Sequence, residues 1–302
     1  MIKNLLLCGL GATGCIFANK INKCDDINLR ILVDKPRFER YSKSPVELNG
    51  EVLHFDYIFP EDDNYKADLI LITTKSDGLL SAVENIKKFI KPDTIIMSLL
   101  NGISSEKIIA EKYGRDKVIT SYWIGHSAMR EGNKVTHDGV AKIVFGSKDK
   151  SDKRLPDVKE LFEKAKIDYE IPEDIEYSIW LKYLMNVSTN QPSAVYNMTF
   201  GEMRNSKEIR ELIKNLMEEV QKIAKAEGVK NTERMYGDAK NALRTMMSEG
   251  KTSMLQDVLA KRKTEVDIFA GTIIELGKKH GIQVPYNELM REKIEAIHQS
   301  YS

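Results

Sequence analysis

Through the first half of the chain, short runs that are apolar at nearly every position alternate with segments whose apolar residues recur every three or four places. Ile2–Cys8, Leu29–Asp34, Asp68–Thr74, Thr94–Leu99 and Lys117–Ser121 read as strands buried on both faces. Ala12–Asn22, Asp77–Ile90 and Ser104–Lys112 read as the helices between them, with an irregular segment over 35–67. Strands rich in Ile, Leu and Val that alternate with helices predict a parallel sheet covered on two sides, and right-handed crossovers make it doubly wound. From Trp123 to Gly146, turn signals at Glu131-Gly-Asn and His137-Asp-Gly separate short β-prone pieces, which predicts an antiparallel extension of that sheet. A helix over Asp157–Lys166 and a strand over Tyr169–Ile171 close a domain spanning 1–172. Beyond it, Ile175–Thr189, Ser206–Glu227, Thr232–Ser248 and Val258–His280 carry the helical period. Gly228 and Gly281 stand where helices stop, and Pro285 opens a last one. The expected fold is α/β: an N-terminal Rossmann-like doubly wound sheet followed by an all-α C-terminal domain over 173–302.

Composition narrows the function classes. The 302 residues include 46 Lys+Arg and 45 Asp+Glu, a net charge of +1, so there is no electrostatic case for nucleic acid or a membrane surface. No apolar run approaches the ~20 residues that cross a bilayer. Cys8, Cys15 and Cys24 form an odd count crowded at the start, which suits a reducing compartment better than a disulfide framework. The apolar stretch Leu5–Ala18 has the look of a signal peptide, but its glycines keep a phosphate-loop spacing and the chain runs on into another strand; a cytoplasmic location is expected. The histidines and cysteines show no metal-ligand spacing, so no metal is expected, and a G-x-S-x-G nucleophile turn is absent.

Gly9-Leu10-Gly11-Ala12-Thr13-Gly14 is a G-x-G-x-x-G that leaves a strand and opens a helix. The first glycine permits the tight turn, the second lets a pyrophosphate approach the backbone, and the third lets helix pack on strand. Asp34 ends the second strand 20 residues after Gly14, where a carboxylate takes the ribose hydroxyls of NAD. Lys35, Arg37 and Arg40 follow at once and are suited to the 2′-phosphate of NADP, so both dinucleotides stay open. Asn101-Gly102 and Lys75 each follow a strand, at the carboxyl edge where open α/β sheets hold ligands.

In the second half, Lys182, Asn186 and Asn190 fall at successive i, i+4 positions and form one polar stripe on a largely apolar helix. Asparagine is a poor helix former, so local stability does not account for the pair. Ser253 suits a helix N-cap by default, or a ligand hydroxyl, and Glu265 lies in a charge-rich stretch.

Together these residues resemble the ketopantoate reductase (2-dehydropantoate 2-reductase) family along essentially the whole chain. The likeness runs through the glycine turn, Thr-Lys75, Leu-Asn101-Gly102 and Ala128 before Arg-Glu-Gly. It continues in W-x-Lys182-x-x-x-Asn186-x-x-x-Asn190, Ser253-Met-Leu-Gln-Asp257 and Thr-Glu265-Val-Asp267. The resemblance implies a Rossmann domain joined to a helical domain like that of 6-phosphogluconate dehydrogenase, and NADPH-dependent reduction of a 2-keto acid, ketopantoate, to (R)-pantoate in pantothenate biosynthesis. By position it implies Lys182 as general acid, Glu265 orienting the reacting centre, and Asn101, Asn186, Asn190 and Ser253 holding substrate. Gly9 to Gly14, Lys75, Asn101 and Ala128 then contact the cofactor. Two positions depart from the family pattern: Asp34-Lys35 in place of a small residue and Arg, which keeps NAD(H) open, and Phe200 in place of an asparagine before Gly201-Glu202. A D-2-hydroxyacid dehydrogenase acting on other branched or aromatic 2-keto acids, and a non-catalytic nucleotide sensor, are the alternatives. The helical half also leaves a homodimer open.

Overall fold

Residues 1–125 and 128–301 are described by a computed structural model; His126, Ser127 and Ser302 lie outside the described residues. The chain divides into two units, Met1–Asn101 with Ser105–Ile175, and Gly102–Ser104 with Glu176–Ser302.

In the first unit, β1 (Asn4–Cys8) leads through α1 (Ala12–Asn22) to β2 (Asn28–Leu32). There follow α2 (Lys35–Lys43), the short strands β3 (Val46–Leu48), β4 (Glu51–Leu53) and β5 (Tyr57–Ile58), then β6 (Leu69–Ile72) and α3 (Leu79–Asn85). The remainder is β7 (Ile95–Ser98), α4 (Ser105–Tyr113), β8 (Val118–Gly125), β9 (Ala128–Glu131), β10 (Lys134–His137), β11 (Ala141–Gly146), α5 (Arg154–Lys164) and β12 (Asp168–Glu170). An eight-stranded sheet runs β12-β11-β8-β7-β6-β1-β2-β5, parallel except where β8 meets β11. Leu5 and Leu7 face one buried cluster with Leu69, Leu71 and Met97, while Leu6 and Cys8 face the other with Ile70, Ile72 and Ile96. Burial on both faces explains the uninterrupted apolar runs, each such side chain contributing about 1.5–3 kcal/mol. The neighbours of β1 are β2 on one side and β6 on the other, so the chain winds away from β1 in both directions. The carboxyl end of β1 is therefore the switch point at which such sheets bind ligands.

Three expectations need correction here. The segment 35–67 is not irregular: α2 forms because Asp34 accepts the Arg37 N–H at 2.8 Å and Pro36 presets its first turn. The stretch 123–146 does not simply extend the sheet. β8 and β11 do so, but β9 and β10 form a hairpin that joins β3 and β4 in a separate four-stranded sheet, β10 pairing in parallel with β3. Asp77–Ile90 is not one helix, because α3 is flanked by 3₁₀ turns at Ser76–Gly78 and Lys87–Phe89. Cys8, Cys15 and Cys24 are free and buried.

The second unit contains α6 (Ile175–Tyr196), α7 (Phe200–Asn205), α8 (Lys207–Ala226), α9 (Met235–Thr245), α10 (Ser253–Leu259), α11 (Thr272–His280) and α12 (Pro285–Gln299). A buried hydrogen-bond chain fixes three of them: Gln191 of α6 donates to Asn287 at 3.2 Å, and Asn287 of α12 donates to Glu219 of α8 at 2.8 Å. α6 continues past its expected end and carries Pro192 inside it. The helix expected over Val258–His280 is interrupted. Asp257 takes the Arg262 guanidinium at 2.7 Å while its carbonyl takes the Arg262 N–H at 2.8 Å, and this clasp turns the chain out of α10. A π-helical turn at Asp267–Gly271 then leads into α11, which ends at Gly281 with φ 66°. No helix among the described residues is long and apolar enough to cross a membrane.

Candidate functional site

In the first unit the three glycines of the turn prove to have different duties. Gly9 has φ 103°, and a Cβ there would lie 2.6 Å from the Thr74 nitrogen; one on Gly14 would lie 2.0 Å from the Gly9 oxygen. Both positions are closed to any side chain by backbone. A Cβ on Gly11 would meet only the Thr73 oxygen, at 4.0 Å. The fold does not need glycine at Gly11, so its bare Cα leaves an open approach to the main chain. Thr73 braces the turn, its hydroxyl donating to the Gly9 carbonyl at 2.6 Å. Gly11 is also the N-cap of α1, with no side-chain cap and no acid in the first turn. The first N–H groups of α1, around Ala12 and Thr13, thus present the positive end of a helix without an internal partner, a fit for a pyrophosphate.

Around this turn, Lys75 follows Thr74 directly and is exposed, and Asn101 is half-buried beyond the end of β7. Ala128 opens β9 and packs, like Ala12, against the core cluster that contains Leu7. Asp34 follows β2 and is held twice, by the Arg37 N–H and by the Arg37 guanidinium. Lys35 lies 3.7 Å from Glu61, and Arg40 stacks 5.0 Å from the Tyr41 ring centre. Arg130 is the residue whose part sequence reasoning missed. It donates to the Leu10 carbonyl inside the glycine turn and stacks 5.6 Å from the Tyr41 ring centre. Nothing in a run of Arg-Glu-Gly signals a partner so far back along the chain. Beneath the turn, burial pushes the Cys15 thiol up to about 11 despite the nearby Arg130 charge, so it is no nucleophile.

In the second unit, the polar stripe of α6 does not face solvent. Lys182 and Asn186 are half-buried and Asn190 is buried, at 7% exposure, with the Thr189 hydroxyl 3.4 Å from its side-chain oxygen. Next to Lys182, the buried Tyr183 hydroxyl donates to the carbonyls of Ile268 and Phe269, at 3.1 and 2.9 Å. This bond ties α6 to the π-helical turn, and burial pushes the phenol's pKa upward. Glu265 is half-buried in the bend that leads into the turn, its carbonyl taking the Ile268 N–H at 3.1 Å. Tyr183 therefore connects the segment of Lys182 to the segment of Glu265; π-helical turns recur at functional sites for this ability to re-aim a helix. Tyr183 was not singled out from sequence, where a tyrosine at a core position reads only as packing.

Ser253 is the first residue of α10, not its cap: the preceding Thr252 caps the helix, accepting the Leu255 N–H at 3.2 Å. The Ser253 side chain is exposed and makes no hydrogen bond to a described residue. Asp257, from the same motif, is committed to its clasp with Arg262. Phe200 opens α7 and lines a pocket described below.

The family model described as "Ketopantoate reductase PanE/ApbA" matches residues 5–150, and "Ketopantoate reductase PanE/ApbA C terminal" matches residues 174–298. A 2-dehydropantoate 2-reductase of Streptococcus pyogenes serotype M3 is 25% identical over 297 residues, covering 96% of each chain. Among solved structures, D-mandelate dehydrogenase with NADH and anilino(oxo)acetate superposes with a TM-score of 0.87 at 19% identity, over 99% of both chains. The dimeric ketopantoate reductase of Staphylococcus aureus superposes with a TM-score of 0.81 at 21% identity, over 99% of this chain and 100% of that one. At these identities the superpositions establish the shared fold.

Proposed function

Because this chain belongs to the ketopantoate reductase family, we propose that it reduces the ketone of 2-dehydropantoate to (R)-pantoate, taking the hydride from a reduced nicotinamide dinucleotide. The observation that carries this reading is the burial of the α6 stripe, where an ammonium and two amides occupy positions that a solvent face would give to Glu and Lys. When bound, the cofactor supplies a hydride to the 2-oxo carbon. Lys182 holds the proton that the developing alkoxide requires, and places a positive charge beside it. Asn101, Asn186, Asn190 and the unengaged hydroxyl of Ser253 hold the substrate, donating to its oxygens without adding charge. Glu265 orients the reacting centre. The Gly9–Gly14 turn, with Leu10, Ala12 and Thr13, holds the pyrophosphate; Lys75, Asn101 and Ala128 line the cofactor's path, and Arg130 keeps the turn in place.

We further propose that NADH is preferred over NADPH. The Asp34 carboxylate caps α2 where it would meet a 2′-phosphate, while Arg37 and Lys35 already face carboxylates and Arg40 an aromatic ring. Phe200 supports a second reading, in which the substrate is an aromatic 2-keto acid.

Oxidation of NADH and NADPH by the full-length protein, with 2-dehydropantoate and with phenylglyoxylate, tests all of this. The expected result is the highest kcat/KM with 2-dehydropantoate and NADH. Preference for phenylglyoxylate would establish the D-2-hydroxyacid dehydrogenase reading, and no turnover with either would favour a nucleotide sensor.

A further inference from the structure

A pocket of about 320 Å³ opens between α7, α8 and α9 of the helical unit, with Thr189 of α6 in its wall. Lys182, Asn186, Asn190 and Ser253 do not line it; of the residues given roles above, only Phe200 does. Five cations do line it, Arg204, Arg210, Lys214, Lys240 and Arg244, and no carboxylate does. Lys214 lies 3.7 Å from Glu211 and 3.8 Å from Glu218. Among the described residues the other four have no carboxylate at ion-pair distance. Arg204 is spent on the carbonyls of Leu243 and Met246, at 3.1 and 2.8 Å, and Arg210 donates to the Arg204 carbonyl at 2.6 Å. Lys240 lies 5.9 Å over the Tyr236 ring, and Arg244 is exposed.

The spacing sharpens the point. Arg210 and Lys214 are i, i+4 neighbours on α8, and Lys240 and Arg244 are i, i+4 neighbours on α9. Like charges at that spacing cost each helix about 0.2–0.5 kcal/mol, and here two such rows line the same cavity. A bound anion relieves that repulsion. Apart from Thr189 and Tyr236 the rest of the lining is apolar, and of it Phe200, Ile213 and Leu243 are half-exposed. A bare inorganic ion leaves this surface wet, whereas a ligand with an apolar body covers it.

We propose that the pocket binds a small phosphate monoester with a compact apolar body. Arg210, Lys240 and Arg244 take the dianionic phosphate, for which guanidinium forks and an ammonium are matched, and the body rests on the half-exposed Phe200, Ile213 and Leu243. The volume lies at the lower end of the ~300–1,000 Å³ of small-molecule sites, which limits that body to about one ring.

The test is isothermal titration of the full-length protein with phenyl phosphate, inorganic phosphate and benzyl alcohol, on the unaltered chain and on Lys240→Gln/Arg244→Gln. Phenyl phosphate should bind the unaltered chain at least about tenfold more tightly than inorganic phosphate does, and lose at least about tenfold in the double variant. Affinity for NADH should not change, since neither residue belongs to the glycine turn. Should the double variant melt early, Arg244→Gln alone, at an exposed position, should weaken phenyl phosphate by about threefold or more. The proposal is overturned if phenyl phosphate fails to bind, binds no better than inorganic phosphate, or binds the variants as well as the original; the last result would place the phosphate on the glycine turn instead.

Discussion

The glycine turn and the α6 stripe are built from opposite materials. The turn presents main chain, and two of its three glycines are demanded by the backbone packed against them. The stripe presents side-chain ends along one helix, α6. A substitution in the first region therefore tends to disturb folding together with binding, and one in the second can alter chemistry while the fold stands. Gly11 is the exception that makes the contrast testable, being a glycine of the turn that its own surroundings do not require.

Gly14→Ala should produce the largest effect, because its Cβ would fall 2.0 Å from a backbone oxygen. A loss of about 3 kcal/mol or more is expected in denaturant unfolding, and an unchanged midpoint would break the distinction drawn between the glycines. Gly11→Ala should leave that midpoint in place and instead weaken NADH by about a hundredfold, near 2.7 kcal/mol, in a fluorescence titration. If both glycines behave alike, the open approach at Gly11 is not where the dinucleotide lies. On the helical side, Tyr183→Phe removes the hydroxyl that joins α6 to the π-helical turn. About 1–2 kcal/mol of stability should go with it, and kcat should fall about tenfold while the Kd of NADH holds steady. An effect on cofactor affinity but not on kcat would assign this tyrosine to the wrong region. Smallest is Asp34→Ser, which keeps an N-cap for α2 but removes the charge. The ratio of kcat/KM for NADPH over that for NADH should rise about tenfold, near 1.4 kcal/mol, and a constant ratio would remove Asp34 from cofactor choice.

Much of the first unit was legible because its signals are local. β1, the turn and α1 follow one another without a break, and strands buried on both faces need no partner to be recognised. The α6 stripe was legible for a different reason, an excess of asparagine where a helix would not choose it. Features made by distant segments left no such trace. The bond from Arg130 to Leu10 spans 120 residues, and that from Tyr183 to Ile268 spans 85. α2 buries only Tyr41, so it lacked the apolar stripe by which a helix is read. A π-helical turn shifts the helical register without altering composition, which is why the expected long helix hid both the clasp at Asp257 and the bend at Glu265. Thr252 and Ser253 are adjacent hydroxyl residues, and only backbone geometry separates the one that caps α10 from the one that does not.

In the proposed reaction Lys182 supplies the proton and the Gly9–Gly14 turn holds the coenzyme. Lys182→Ala, assayed with 2-dehydropantoate and NADH beside a titration of NADH alone, tests it most directly. The expected kcat is lower by about 10²–10⁴-fold, with the Kd of NADH within about twofold of the original. A variant that turns over at the original rate, or one that loses NADH and keeps its kcat, would contradict it.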